Sequence, residues 1–177
     1  NSGLDVDANS SVTSLTVGHT TPVSIDTGIT LSGAITVTAG SIRLDEAGTL
    51  GADVSMSGGT LDVDKTLTLS GALSHTADIT IDVKAGETLT YSGAAVSLGA
   101  KTLTLSGGGT FSNTNALVLN DASSKLLLNL ITVGKVSTSL ANSGLDVDAN
   151  SSVTSLTVGH TTPVSIASGI TLSGAIT

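Results

Sequence analysis

The chain has no cysteine and no tryptophan, two prolines, one tyrosine and one phenylalanine in 177 residues. Lack of cysteine excludes disulfides and thiolate metal sites. With Tyr91 and Phe111 as the only rings, a core of large aromatics is excluded too. Any core must be thin and built from Leu, Ile, Val and Ala, as in a stack of small similar layers. Basic residues are scarce: six against fourteen acidic ones, with Arg43 the only arginine and a formal charge of −8. Nucleic acid and anionic membrane surfaces require clustered Lys or Arg, so neither is an expected partner. No apolar run approaches the ~18 residues of a membrane span, so membrane insertion is not expected. The apolar fraction of 39% is nevertheless too high for a disordered linker.

What the chain does contain is a repeat of itself. Asn1 to Thr36 returns as Asn142 to Thr177 with two changes, Asp26 to Ala167 and Thr27 to Ser168. The offset is 141 residues. Residues 1–141 therefore read as one full unit and residues 142–177 as the start of the next, in a window of a tandem array. No capping segment is evident at either end, so the natural object is expected to continue.

Within the unit, apolar residues alternate with Thr, Ser and Asp in pieces of three to five residues. Examples are Leu15/Val17, Ile35/Val37, Ile42/Leu44, Leu61/Val63, Ile79/Ile81/Val83, Leu89/Tyr91, Leu103/Leu105 and Leu117/Leu119. That period of two marks strands, and Gly, Asn, Asp or Ser punctuates the junctions. Neither Asn-Gly nor Asp-Gly hairpin turns occur, which disfavours an antiparallel sandwich. The expected fold is all-β: a parallel β-helix (β-solenoid) with short strands and roughly 18–22 residues per coil. Leu-Thr-Leu-Ser-Gly-like motifs starting at 29, 67 and 103 set that coil length, and the one at 89 breaks the register. About seven coils at one strand spacing each give a unit about 34 Å long.

Candidate sites are few. Asp5, Asp7 and Asn9 have the D-x-D-x-N spacing that opens a calcium loop, and Asp146, Asp148 and Asn150 repeat it. The loop is incomplete: Ser10 replaces the turn glycine and Thr16 stands where a bidentate Glu belongs. A solvated strand face is the competing reading. Calcium is the only cofactor suggested. Asp78, Asp82 and Glu87 could form a carboxylate pair for glycoside cleavage, but sugar-stacking aromatics are missing, and the chain is not expected to be an enzyme. In Lys125–Val133, inward Leu126, Leu128 and Leu130 would leave Leu127 and Ile131 pointing outward as a lateral contact. Asn113 to Asn115 is the modest candidate for a binding loop. Ice binding would need regular Thr-x-Thr ranks. Thr66/Thr68 and Thr102/Thr104 supply the pattern, but their spacing along the chain is uneven.

Thr66-Leu67-Thr68-Leu69-Ser70-Gly71 and Thr102-Leu103-Thr104-Leu105-Ser106-Gly107 carry a resemblance. The chain resembles the β-helical repeat regions of large secreted bacterial surface proteins, the filamentous-haemagglutinin-like and autotransporter-like adhesins. The likeness is one of texture over the whole window and transfers no catalytic residue. It implies an extracellular or cell-surface location and a structural role in a fibre, stalk or matrix filament. Partners would be adjacent copies of the chain, covalent in tandem or end to end, with possible lateral association. The alternatives are an adhesin that binds glycan or another surface along a side face and, remotely, a polysaccharide-active β-helix enzyme.

Overall fold

The structure is a computed structural model that describes residues 11–19, 23–25, 30–31, 33–45, 47–139, 144–148, 150–159 and 175–177. Among these residues every strand pair is parallel, and no helix occurs. The protein is a parallel β-solenoid whose coils have three faces. A single antiparallel bridge, Lys84 to Gly108, lies outside the strands.

The first face is one seven-stranded sheet: Val23–Ile25, Ser41–Leu44, Thr60–Val63, Ile79–Val83, Thr102–Ser106, Lys125–Asn129 and Gly144–Asp148. The second carries Gly48–Leu50, Leu67–Leu69, Thr88–Tyr91, Thr110–Asn113 and the leading ends of Thr132–Thr138 and Ser152–Val158. The third begins with Leu15–Gly18, Ile35–Ala39, Val54–Met56 and Leu73–His75. It resumes with Val96–Ser97, Leu117–Leu119, the trailing ends of the two long strands, and Ala175–Ile176.

Alternation dictates this arrangement. Along each strand one residue in two points inward, and parallel registry stacks like on like. Val23, Ile42, Leu61, Ile81, Leu105, Leu128 and Val147 form one such interior column. Leu67, Leu89, Phe111, Val133 and Val153 form another. The interior is one continuous apolar cluster, and each fully buried aliphatic side chain stabilises by ~2 kcal/mol. The two rings sit on adjacent rungs, stacked with centroids 6.3 Å apart.

Corners absorb changes in coil length. Neighbouring rungs are separated by 19 residues at Arg43 and Asp62 and by 24 at Asp78 and Thr102. One corner is built from a column of left-handed residues: Gly86, Gly108, Leu130 and Asn150, with φ of 83°, 83°, 52° and 53°. Each lies two residues before a member of the stacked set Thr88, Thr110, Thr132 and Ser152. Gly tolerates this conformation without cost, Asn tolerates it well, and Leu does not. The Gly107-Gly108-Gly109 run thus forms a corner.

The two sequence copies meet the solenoid in the same register. Leu15 pairs with Ile35 and Leu156 with Ile176. Leu15 to Leu156 is seven rungs, through Ile35, Val54 and Leu73, then Val96, Leu117 and Val136.

Candidate functional site

With the interior filled by aliphatic side chains, any activity must reside on the outer faces. The first face carries the charge. Its outward column runs Ser24, Arg43, Asp62, Asp82, Ser106. Arg43 Nε lies 3.2 Å from Asp62 and 3.4 Å from Asp64, and Lys84 Nζ lies 3.6 Å from Asp64. Ser24 donates to Asp45 at 2.9 Å and Ser106 to Asp82 at 2.5 Å. Burial raises the Asp62 carboxyl above its ordinary value. Arg43 opposes that shift through its hydrogen bond and charge, while Asp64 and Asp82 add to it. The Arg43 guanidinium is raised in turn, chiefly by its hydrogen bond to Asp62. The two shifts disagree on whether the pair gains. Asp62 is the more buried partner, so its desolvation cost decides.

The second face is uncharged. Its outward positions form a grid on three successive rungs: Thr66, Thr68 and Ser70; Thr88, Thr90 and Ser92; Thr110, Ser112 and Thr114. Each rung is displaced from the last by 22 residues. The next rung adds Thr132, whose Oγ1 accepts from Ser152 Oγ at 3.1 Å. On the first three rungs only two hydroxyls bond within the described residues. Thr66 donates to Glu87 at 2.7 Å and accepts from the Thr88 N–H at 3.2 Å, and Ser70 reaches the Leu50 carbonyl at 3.5 Å. The Thr66 hydroxyl holds the Glu87 carboxyl below its ordinary pKa. The others, half-buried or exposed, face outward without a partner among the described residues. Charges touch only the margins, at Lys65, Glu87 and Lys135.

This geometry corrects the motif alignment made from sequence. The motifs starting at Leu67 and Leu89 are in register on the second face. The one starting at Leu103 lies on the first face, beside Ile79 and Leu126. Position 89 therefore breaks nothing, and Thr102/Thr104 belongs to a different surface from Thr66/Thr68. The signal missed was the constant 22-residue recurrence of Thr-x-Thr/Ser-x-Ser/Thr.

The remaining candidates disperse. Asp5, Asp7 and Asn9 lie outside the described residues. Asp146 points outward next to Leu127 on the first face, and Asp148 ends the same strand. Asn150 occupies the left-handed corner, a backbone reason for an Asn at that position. Among the described residues no group of three or more His, Asp or Glu gathers as a cation would require. Asp78 accepts from the Thr102 N–H at 2.8 Å, Asp82 from Ser106 and Glu87 from Thr66. Each carboxylate ties one rung to another, and the three do not converge on one cleft.

Leu127 does face outward, half-buried. Ile131 does not: it is buried at 2% exposure, and Leu130 is the exposed residue at 50%. The left-handed step at Leu130 inserts a corner, which flips the alternation before Ile131. Asn113 is buried and bonded to the backbone of Asn115 and Lys135, and Asn115 donates to the Gly93 carbonyl at 2.8 Å. These asparagines hold rungs together, so the Asn113–Asn115 segment does not offer a free binding loop. Both aromatic rings are in the core.

No protein-family model, curated protein or solved structure matches the chain. The fold is consistent with the solenoid regions of secreted bacterial fibres and adhesins without being specific to them. No helix among the described residues is long and apolar enough to cross a membrane.

Proposed function

We propose that the chain is a structural repeat of an extracellular fibre, stalk or matrix filament, with adjacent copies of itself as its partners. The supporting observation is the shared register of the two sequence copies, Leu15 on Ile35 and Leu156 on Ile176, seven rungs apart. A repeat that spans a whole number of rungs returns each face to the same side of the solenoid. Units then add without phase error, and each adds about 34 Å at one strand spacing per rung.

The mechanism is mechanical. Continuous backbone ladders run along the axis, the aliphatic interior excludes water, and the net negative charge opposes collapse of neighbouring filaments.

Electron microscopy of proteins with two and three complete units tests the geometry. Rods that lengthen by about 34 Å per added unit are expected, and particles that grow in all dimensions would count against the proposal. Antibody to the chain, applied to intact producing cells, tests the location. Surface fibres should label without permeabilisation; labelling that appears only afterwards would exclude the extracellular role.

A further inference from the structure

The second face stacks its hydroxyls three deep on three rungs, in columns from Thr66, Thr68 and Ser70. Across the same rungs the first face advances by 24 residues from Thr80 to Thr104, then by 23 to Leu127. The second face holds a constant 22 through Leu67, Leu89, Phe111 and Val133. Beyond these rungs the second face advances by 19 residues from Gly48 to Leu67 and by 20 from Val133 to Val153, and on both faces the corners absorb the change. Charge is concentrated elsewhere: Arg43, Asp62, Asp64, Asp82 and Lys84 lie on or beside the first face.

We propose that this face binds the surface of ice. Outward positions repeat at ~4.8 Å between rungs and ~6.6 Å between alternate residues of one strand. The prism face of ice presents ranks of oxygen atoms in the same perpendicular relation, at an interval close to the first of these and another somewhat longer than the second. Threonine supplies both groups such a surface uses. Its hydroxyl replaces one water of the lattice, and its methyl restricts the orientation of water beside it. Branching at Cβ limits χ1 at the threonines, so their oxygens are held in place before contact, whereas Ser70, Ser92 and Ser112 supply a hydroxyl alone. Most grid hydroxyls have no partner among the described residues and remain free to bond the lattice. A charged group would carry its own hydration shell and break the match; Glu87 holds the Thr66 hydroxyl at one edge of the grid, and the Thr68, Thr90 and Ser112 column has no charged partner among the described residues.

A crystalline polysaccharide is the competing ligand, but sugar faces are gripped by exposed rings, and Tyr91 and Phe111 are 1% and 0% exposed. The inference is independent of the filament reading, because it concerns a face of a single unit.

The test uses the full 177-residue chain. Ice-crystal shaping is watched in a nanolitre osmometer, and partition of the fluorescently labelled chain into slowly grown ice is measured. Shaped crystals and enrichment in ice are expected. Thr68→Lys with Thr90→Lys should reduce both to the level of an unrelated acidic protein, while Thr80→Lys on the first face leaves them intact. Circular dichroism and thermal melting check that each variant is folded. Absence of shaping and enrichment with the unmodified chain overturns the proposal, whatever the variants do. So does undiminished activity in the folded double variant. Retention on microcrystalline cellulose or chitin without partition into ice also overturns it, and reassigns the face to polysaccharide.

Discussion

The side-chain amide of Asn113 pairs with the backbone of Lys135 as a neighbouring strand would. Its Nδ2 donates to the Lys135 carbonyl at 2.7 Å, and its Oδ1 accepts from the Lys135 N–H at 2.9 Å. This occurs where the strand Thr132–Thr138 passes from the second face to the third, so the amide continues the ladder around a corner. Gly134 permits the approach, since a Cβ there would stand 2.4 Å from Asn113 Oδ1. Asn113→Leu keeps the branched shape, adds bulk and orphans both Lys135 backbone groups. Urea unfolding of the variant should show a loss of about 2 kcal/mol. An unchanged midpoint would mean that water replaces the amide at no cost.

Leu130 is the opposite case, a side chain in a conformation it resists. Its φ of 52° is nearly that of Asn150 and has the sign of Gly108 and Gly86 in the same corner column, and it is half exposed. Leu130→Asn should therefore stabilise the chain by about 1 kcal/mol, and Asn150→Leu should destabilise it by a similar amount. If both substitutions prove neutral in thermal melts, strain at this corner is not significant.

These two positions show where the sequence was readable. The paired aliphatics from Leu15/Val17 to Leu117/Leu119 sit where period-two alternation placed them, because a short strand with one buried face allows no other assignment. Val23 is only partly buried, toward one end of its sheet. Coil identity was harder to read. Leu67, Leu89 and Leu103 start similar motifs, yet the third lies on another face, because composition is alike on every side of the coil while registry is set by corner length. Direction failed at Ile131, where one left-handed residue reverses the alternation without a Gly to announce it. The hydroxyl grid was legible in principle from the 22-residue recurrence, but only once motifs from different faces were separated.

Tyr91 carries a polar duty inside the core. It is 1% exposed, and its hydroxyl accepts from the Leu73 N–H at 3.1 Å, at the point where the third face passes from one sheet to another. Tyr91→Phe preserves the stacking on Phe111 and removes only that acceptor. A loss of about 1–3 kcal/mol is expected, together with faster amide exchange at Leu73. Unaltered exchange would show that the bond does not protect that amide.

Thr138 reverses the reasoning. It is 1% exposed, lies between Leu119 and Val158 on neighbouring rungs, and its hydroxyl has no partner among the described residues. Thr138→Val replaces a desolvated, unpaired hydroxyl with a methyl group of similar size. Chemical denaturation should show a gain of about 1 kcal/mol. A loss instead would reveal a bound water that satisfies the hydroxyl.

The pH response of the first face rests on Asp62. Burial holds its folded-state pKa above the ordinary value of about 3.9, with Asp64 and Asp82 adding to the shift and Arg43 working against it. A carboxyl raised in this way binds its proton more tightly in the folded chain than in the unfolded one. Its favourable effect is therefore complete below the ordinary carboxylate pKa and is lost as pH rises through the raised value. At neutral pH the charged, half-buried carboxylate costs stability, and Asp62→Asn removes the charge while keeping an oxygen acceptor for Arg43 Nε. The variant should be more stable than the parent at pH 7, and the difference should shrink to nothing as pH falls below that ordinary value. Urea titrations of both proteins across this window measure it. If Asp62→Asn is instead the weaker protein at pH 7, attraction to Arg43 exceeds the cost of burial. The guanidinium, with 41% side-chain exposure, would then be less screened by solvent than its position implies.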